Sequence, residues 1–476
     1  MLFTELNFWA FFLFVAAAYV VLPHKLQNRM LLVASYFFYG SWDWRFLSLI
    51  LLSTFVDYFV GLRMAGETDA GRRKRLLTLS LAVNLGMLAV FKYLGFFVSS
   101  FQDMLATVGY AADPLVLSIV LPVGISFYTF QTLSYTIDIY RRDLEPTRDF
   151  LDFALFVAFF PQLVAGPIER AKNLLPNISQ PRTLSWDAFR RGVLLCLLGL
   201  IKKVVVADGV APSVNAVYGA ADPSRLDIIF ATWLFAIQIY CDFSGYTDIA
   251  RGVAKMLGFH LMRNFAQPYF AADPQEFWRR WHISLSTWLR DYLYVSLGGN
   301  RSGARKTYRN LMATMILGGL WHGAAWNFVA WGVYQGMLLA VHRMFAGRHD
   351  RVGEGVSRSF GQWILRGVAI AAFFQVVCYG WLLFRATSFD QIRDFTARLL
   401  GVTASVGEMS MPTPPVAALL GLVFLLVWDI SVERSGDVAF YRKWPLTIRA
   451  VLYAGMLYLF AFGATTDTSA FIYFQF

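Results

Sequence analysis

Apolar residues in this chain fall in long runs separated by short polar stretches. The runs cover residues 6–22, 30–42, 46–62 and 76–100, then 115–140, 151–166, 192–207, 228–240, 310–344, 364–384, 415–427 and 448–463. In hydrocarbon a segment satisfies its own backbone polar groups only by coiling, so runs of this kind predict membrane α-helices. A core about 30 Å thick takes roughly 20 helical residues to cross. Asp43, Trp44 and Arg45 sit between the second and third runs and predict a helical hairpin. Pro122 and Gly124 interrupt the fifth run and Pro161 the sixth, where bent or re-entrant helices are expected. Broken helices are tolerated at membrane depth only when buried in protein or lining a cavity. The pattern predicts an all-α polytopic membrane protein, with residues 1–476 forming a single integral membrane domain around a thinned, water-accessible centre. No internal repeat is visible, which weighs against a transporter built from inverted halves.

Residues 271–309 depart from this pattern. Trp278, Trp281, Leu285, Trp288 and Tyr292 recur at spacings of 3, 4, 3 and 4, which places them on one helical face. Arg279, His282, Ser286 and Arg290 share another, at spacings of 3, 4 and 4. An aromatic face beside a basic one suits a helix lying at the headgroup level. Two readings stay open: a surface anchor alone, or an anchor whose polar face also lines a cytoplasmic entrance for an anionic ligand.

Composition narrows the class. The chain is 57% hydrophobic and only 15% charged, against about 25% charged in soluble domains. An ordinary cytosolic enzyme, a secreted disulfide scaffold and a disordered tail are excluded. The net charge of +11 reads as the Lys and Arg excess of cytoplasmic loops, with no nucleic-acid partner implied. Arg72, Arg73, Lys74 and Arg75 form the firmest cytoplasmic marker. No basic residue precedes the first run, while Lys25 and Arg29 follow it. This order predicts no cleavable signal and an N-terminus facing out of the cytoplasm. Cys196, Cys241 and Cys378 are far apart and offer neither a disulfide framework nor a metal site.

Candidate chemistry is sparse. No Gly-rich phosphate loop, G-x-S-x-G elbow or metal-ligand cluster is present, and no motif marks Ser284 as a nucleophile. His24, His260, His342 and His349 lie at predicted helix ends or in polar loops and read as structural or solvated. His322 differs, because it lies midway along the apolar run 310–344. An ionisable residue at membrane depth is a functional candidate, against the alternative of a histidine hydrogen-bonded between helices. Gly318, Gly319, Gly323, Ala324 and Ala325 around it would let a substrate or another backbone approach. Desolvation favours neutral imidazole, the state a general base requires. Asp57, Asp138, Asp242 and Asp248 also fall in apolar surroundings and read as buried ion pairs or helix-end hydrogen bonds, with Arg251 the expected partner of Asp248.

Several runs together resemble the membrane-bound O-acyltransferases, in the branch that serves bacterial alginate O-acetylation. They are DFSGYTDIA from Asp242, NFAQPYF from Asn264, EFWRRWHISLSTWLRDYLYVSLGGNR from Glu276 and GGLWHGAAWNF from Gly318. ASYFFYGSWDWRF from Ala34, PVGISFYTFQTLSYTIDIYR from Pro122, FFPQLVAGPIER from Phe159 and the terminal FIYFQF extend the match. The resemblance implies about eleven membrane helices, with interfacial and re-entrant helices, around a thinned central funnel. It implies two site histidines, His322 within the membrane, on a helix spanning 310–344, and His282 in the preceding aromatic segment.

It further implies acyl transfer across the bacterial inner membrane, from cytoplasmic acetyl-CoA toward a periplasmic SGNH-type partner and a polysaccharide-modification machinery. Arg279, Arg280 and Arg290 are then candidates to receive the cofactor's phosphates, with His322 as general base and His282 orienting donor or acceptor. An acetyl-His322 intermediate is the open variant. Transfer of another acyl group, such as D-alanine to a cell-wall polymer, and a non-enzymatic polysaccharide transporter or channel are the alternatives. Gln162 and Ala470 depart from the alginate-branch pattern, which loosens the identity of the polymer and leaves the histidines untouched.

Overall fold

A computed structural model describes residues 1–110, 120–163, 166–345, 359–403, 409–465 and 472. His349, Ala470 and most of the terminal FIYFQF lie outside them. The described residues are helices joined by turns, with no strand among them. Six helical stretches are long and apolar enough to cross a membrane: His24–Gly66, Ala70–Thr107, Arg225–Met256, Phe360–Arg385, Val416–Ser435 and Leu446–Gly463. Leu6–Val21 and Phe150–Leu163 are shorter apolar helices. The chain is therefore an all-helical, multi-pass membrane protein. Its contacts divide it into two compact units, Met1–Cys196 with Ile249–Met262, and Leu197–Asp248 with Arg263–Phe476.

In the first unit the expected hairpin forms from the helices His24–Asp43 and Leu47–Gly66, joined by a 3-10 turn at Trp44–Phe46 that the Asp43 carboxylate caps through the Arg45 N–H. The helix Ile125–Arg141 starts only after Gly124, whose φ of 75° is left-handed backbone that suits glycine. Pro161 has the expected effect too: the helix Phe150–Ala158 stops at Phe159, and a short turn, Phe160–Leu163, follows. Asp57 is fully buried and accepts hydrogen bonds from Ser80 Oγ at 2.6 Å and Asn84 Nδ2 at 2.8 Å. Arg73, within the supposed loop cluster, is itself buried. Its guanidinium donates to the carbonyls of Met64, Ile139 and Tyr140, acceptors in the last turns of two helices. Gly192 and Gly252 bring their helices so close that a Cβ on either would lie 2.6–2.7 Å from the other's carbonyl oxygen, the small-residue packing usual between membrane helices.

In the second unit two differences from the sequence-based expectation bear on the site. The run 310–344 is not one helix: Ala304–His322 ends at His322, and Trp326–Phe345 starts after the break at residues 323–325. The two pack as a hairpin on glycine, with a Cβ at Gly319 only 2.2 Å from the Phe328 carbonyl and one at Gly332 only 2.6 Å from that of Met315. At Gly319 it is another stretch of backbone that makes the close approach. The aromatic segment is broken as well. Pro274–Arg280 ends, His282 takes left-handed backbone at φ 43°, and Ile283–Trp288 begins. A face drawn across 278–292 therefore does not exist. His282 is fully buried while Arg279 and Arg290 are exposed, and Trp281, Leu285, Trp288 and Tyr292 are buried in protein instead of facing headgroups.

Candidate active site

Both predicted histidines fall in the second unit and are brought together. His322 is 4% exposed and His282 0%, with ring centroids 6.3 Å apart. His322 is held at the end of its helix because Gly323 follows in extended backbone at φ −157°. Phe328 would collide with any Cβ at that glycine, at 2.0 Å. Around His322 stand Trp321 and Trp331, both at 5.1 Å, and Phe384 at 5.5 Å. Trp381 backs the box, 6.3 Å from Trp331 and 5.7 Å from Phe384. The box comes from three helices, Ala304–His322, Trp326–Phe345 and Phe360–Arg385, locked by ring contacts that hold the imidazole in an apolar wall.

His282 reaches the same place from the break in the aromatic segment. Phe243 meets it edge-on at 4.7 Å, with Trp321 at 6.0 Å and Phe265 at 6.3 Å. Its Nδ1 lies 3.2 Å from Asn264 Oδ1. Burial without a countercharge pushes this imidazole down to about 3, so it is neutral at physiological pH. Left-handed backbone costs a non-glycine residue roughly 1–2 kcal/mol, and here it turns the ring inward when a continuous helix would have carried it elsewhere.

The three predicted arginines are not equivalent. Arg280 is half-buried and paired with Glu276 at 2.8 Å and Glu433 at 2.7 Å; Arg366 shares Glu276. Its charge is already answered. Arg290 lies exposed against Asp291 at 2.6 Å, and Arg279 is exposed with no ion pair among the described residues. The structure does not gather the three on one face.

Other expectations resolve locally. Ser284 Oγ donates to Asn264 Oδ1 at 2.9 Å. His24 bonds the Ile178 carbonyl at 2.9 Å, His342 stands 3.8 Å from Asp273, and His260 is exposed. Asp248 pairs with Lys202 at 2.8 Å. Asp242 pairs with Lys203 at 2.7 Å, and Lys203 also holds Asp208 at 2.7 Å. These two lysines went unremarked inside the run 192–207, although a lysine in an apolar run is itself a signal. In sequence Asn264 stands only as part of a motif; nothing in its spacing announces a contact with His282, 18 residues on. No group of three or more His, Cys, Asp or Glu suited to a metal occurs among the described residues.

Comparison with known proteins places the chain in a family. The profile of the membrane-bound O-acyltransferase family matches residues 141–353, which include both histidines. The chain is similar to the probable alginate O-acetylase AlgI of Azotobacter vinelandii, 41% identical over 433 residues, 90% of this chain and 83% of the relative. Against the probable alginate O-acetylase AlgI of Pseudomonas putida it is 40% identical, covering 89% and 85%. Against the peptidoglycan O-acetyltransferase of Helicobacter pylori it is 32% identical, covering 97% and 94%.

Proposed function

The chain belongs to the membrane-bound O-acyltransferase family, and on that premise we propose that it moves acetyl groups from cytoplasmic acetyl-CoA to a hydroxyl acceptor for polysaccharide O-acetylation. The observation that carries the reading is the pair of buried imidazoles 6.3 Å apart in one aromatic box. The enzyme sits in the bacterial inner membrane with its N-terminus periplasmic, and an SGNH-type periplasmic partner passes the acetyl group on to an alginate-type polymer. The printed names of the relatives, alginate and peptidoglycan O-acetylation enzymes, support O-acetylation of a cell-surface glycan.

In the chemical step, neutral His322 accepts the proton of the acceptor hydroxyl as its oxygen attacks the thioester carbonyl. The tetrahedral intermediate collapses, the C–S bond breaks, and the CoA thiolate takes the proton back from the imidazolium, leaving the base as it began. Positioned general bases contribute about 10² to 10⁴ in rate. The aromatic walls keep water from competing with the acceptor. The phosphates of CoA meet exposed Arg279, and Arg290 once it leaves Asp291. Arg280 serves the fold through Glu276 and Glu433.

The decisive test is His322→Ala in membranes supplied with labelled acetyl-CoA. Acetyl transfer should fall to background while protein level and insertion stay normal; near-normal transfer would refute His322 as the base, and no transfer by the wild type would refute the proposal. A polysaccharide channel would keep its flux in the same variant.

A further inference from the structure

Asn264 is fully buried and is bound to the site segment at four points. Its main-chain carbonyl accepts the Ile283 N–H at 2.9 Å. Its Oδ1 faces the Ser284 N–H at 3.1 Å, Ser284 Oγ at 2.9 Å and His282 Nδ1 at 3.2 Å. The side-chain amide has one possible orientation here. A backbone N–H only donates, so the atom opposite Ser284 N is the carbonyl oxygen and not the NH₂. The same oxygen faces His282 Nδ1, so Nδ1 must carry the hydrogen, since two lone pairs at that distance repel. Ser284 Oγ does not compete for the role: it is 3.5 Å from Nδ1 and 2.9 Å from Oδ1, and its proton goes to the nearer acceptor. The neutral ring has one proton to place. With Nδ1 protonated, Nε2 keeps its lone pair, and Nε2 is buried with no hydrogen-bond partner among the described residues.

We infer that Asn264 is a positioning residue that locks His282 in the Nδ1–H form, so that Nε2 serves only as a hydrogen-bond acceptor, for a hydroxyl of the incoming acetyl acceptor other than the one whose proton His322 takes. This deepens the acetyl-transfer reading and rests on it. His282 then receives a neighbouring O–H of the acceptor and holds the nucleophilic oxygen in line, while the reacting O–H points to His322. The opposite role is excluded, because a ring with a bare Nε2 cannot donate to a thioester oxygen. The left-handed backbone at His282 belongs to the same device, since the Ile283 and Ser284 bonds to Asn264 fix the chain on its C-terminal side.

Two measurements test this on the full-length chain in membranes. In ¹⁵N-histidine spectra at neutral pH, the signals absent from His282→Gln should be those of an Nδ1–H imidazole; an Nε2–H pattern would overturn the inference. In kinetics, Asn264→Ala should lower kcat at least about tenfold, the scale of losing a positioned group, with KM for acetyl-CoA little changed. Asn264→Asp keeps an acceptor for all three donors and should recover activity, but its charge favours imidazolium and so should move the acidic limb of the pH–kcat profile upward. The rings packed on His282 are Phe243, Phe265, Trp321 and His322, of which His322 is the other titratable one. Nearby charges are engaged elsewhere: Asp242 with Lys203, Arg263 with Gln267, Arg280 with Glu276 and Glu433.

Normal kcat in Asn264→Ala, or an unshifted profile in Asn264→Asp, would overturn the lock. Should Asn264→Ala fail to accumulate, the wild-type spectrum and the aspartate variant decide alone. A wild type that transfers no acetyl group beside a confirmed Nδ1–H spectrum would fault the acetyl-transfer reading and not the lock; an active wild type beside unaffected Asn264 variants would do the reverse.

Discussion

At the scale of single residues, burial does more than distance to set chemistry. Glu169, in the loop after the Phe160–Leu163 turn, is 1% exposed, and burial pushes its carboxyl up to about 7, opposed by the Met262 N–H, Arg251 and Arg170. An unfolded glutamate titrates near 4.5. Between those two values the folded state binds the extra proton, so stability falls as pH rises through the window, by at most about 3.5 kcal/mol at roughly 1.4 kcal/mol per unit. The loss is complete above pH 7 and absent below 4.5. Glu169→Gln removes the titration. The melting temperature of the wild type, taken relative to that variant, should drop from about pH 5 to about pH 7.5; a constant difference would show that Glu169 titrates normally.

At the scale of elements, helix placement was legible and helix breaking was legible only in part. The runs at 364–384, 415–427 and 448–463 became Phe360–Arg385, Val416–Ser435 and Leu446–Gly463, because hydrocarbon leaves an apolar run no alternative. Pro161 and Gly124 announced their breaks through chemistry that is local. The breaks at His282 and at residues 323–325 were not announced: helical spacing continues through both, and the forces that override it are tertiary, Asn264 in one case and the packing of Phe328 on Gly323 in the other. His322 and His282 were legible as residues, but their shared box was not, since Trp331, Trp381 and Phe384 look in sequence like ordinary apolar positions. The glycine-packed hairpin gives an element-level test. A methyl at Gly332 would sit 2.6 Å from the Met315 carbonyl, whereas one at Gly367 meets nothing within 4 Å. Gly332→Ala should cost about 1–3 kcal/mol as overpacking, with a lower melting temperature in detergent and reduced acetyl transfer. Gly367→Ala should be neutral or stabilising by up to about 1 kcal/mol; equal effects would mean that the hairpin is not held by close contact.

At the scale of the whole molecule, the surplus of +11 includes charges that are paired or buried inside the protein. Arg73 ties off helix ends, Arg280 serves two glutamates, and Lys202 and Lys203 are buried against aspartates. The last two have a consequence for how the chain enters the bilayer during synthesis. Lys203 has Asp208 five residues away and carries a partner with it, but the Asp248 that answers Lys202 lies 46 residues later, on Arg225–Met256. A lysine at the centre of an inserting helix costs about 2.5–3.5 kcal/mol. The segment around Lys202 therefore has reason to linger at the insertion machinery until Asp248 emerges. Chains halted after residue 220 should integrate this segment less completely than chains halted after residue 260, and Lys202→Leu should abolish the difference; equal integration at both lengths would show that the lysine enters unaided. The order in which residues leave the ribosome thus becomes part of how the ion pair is made.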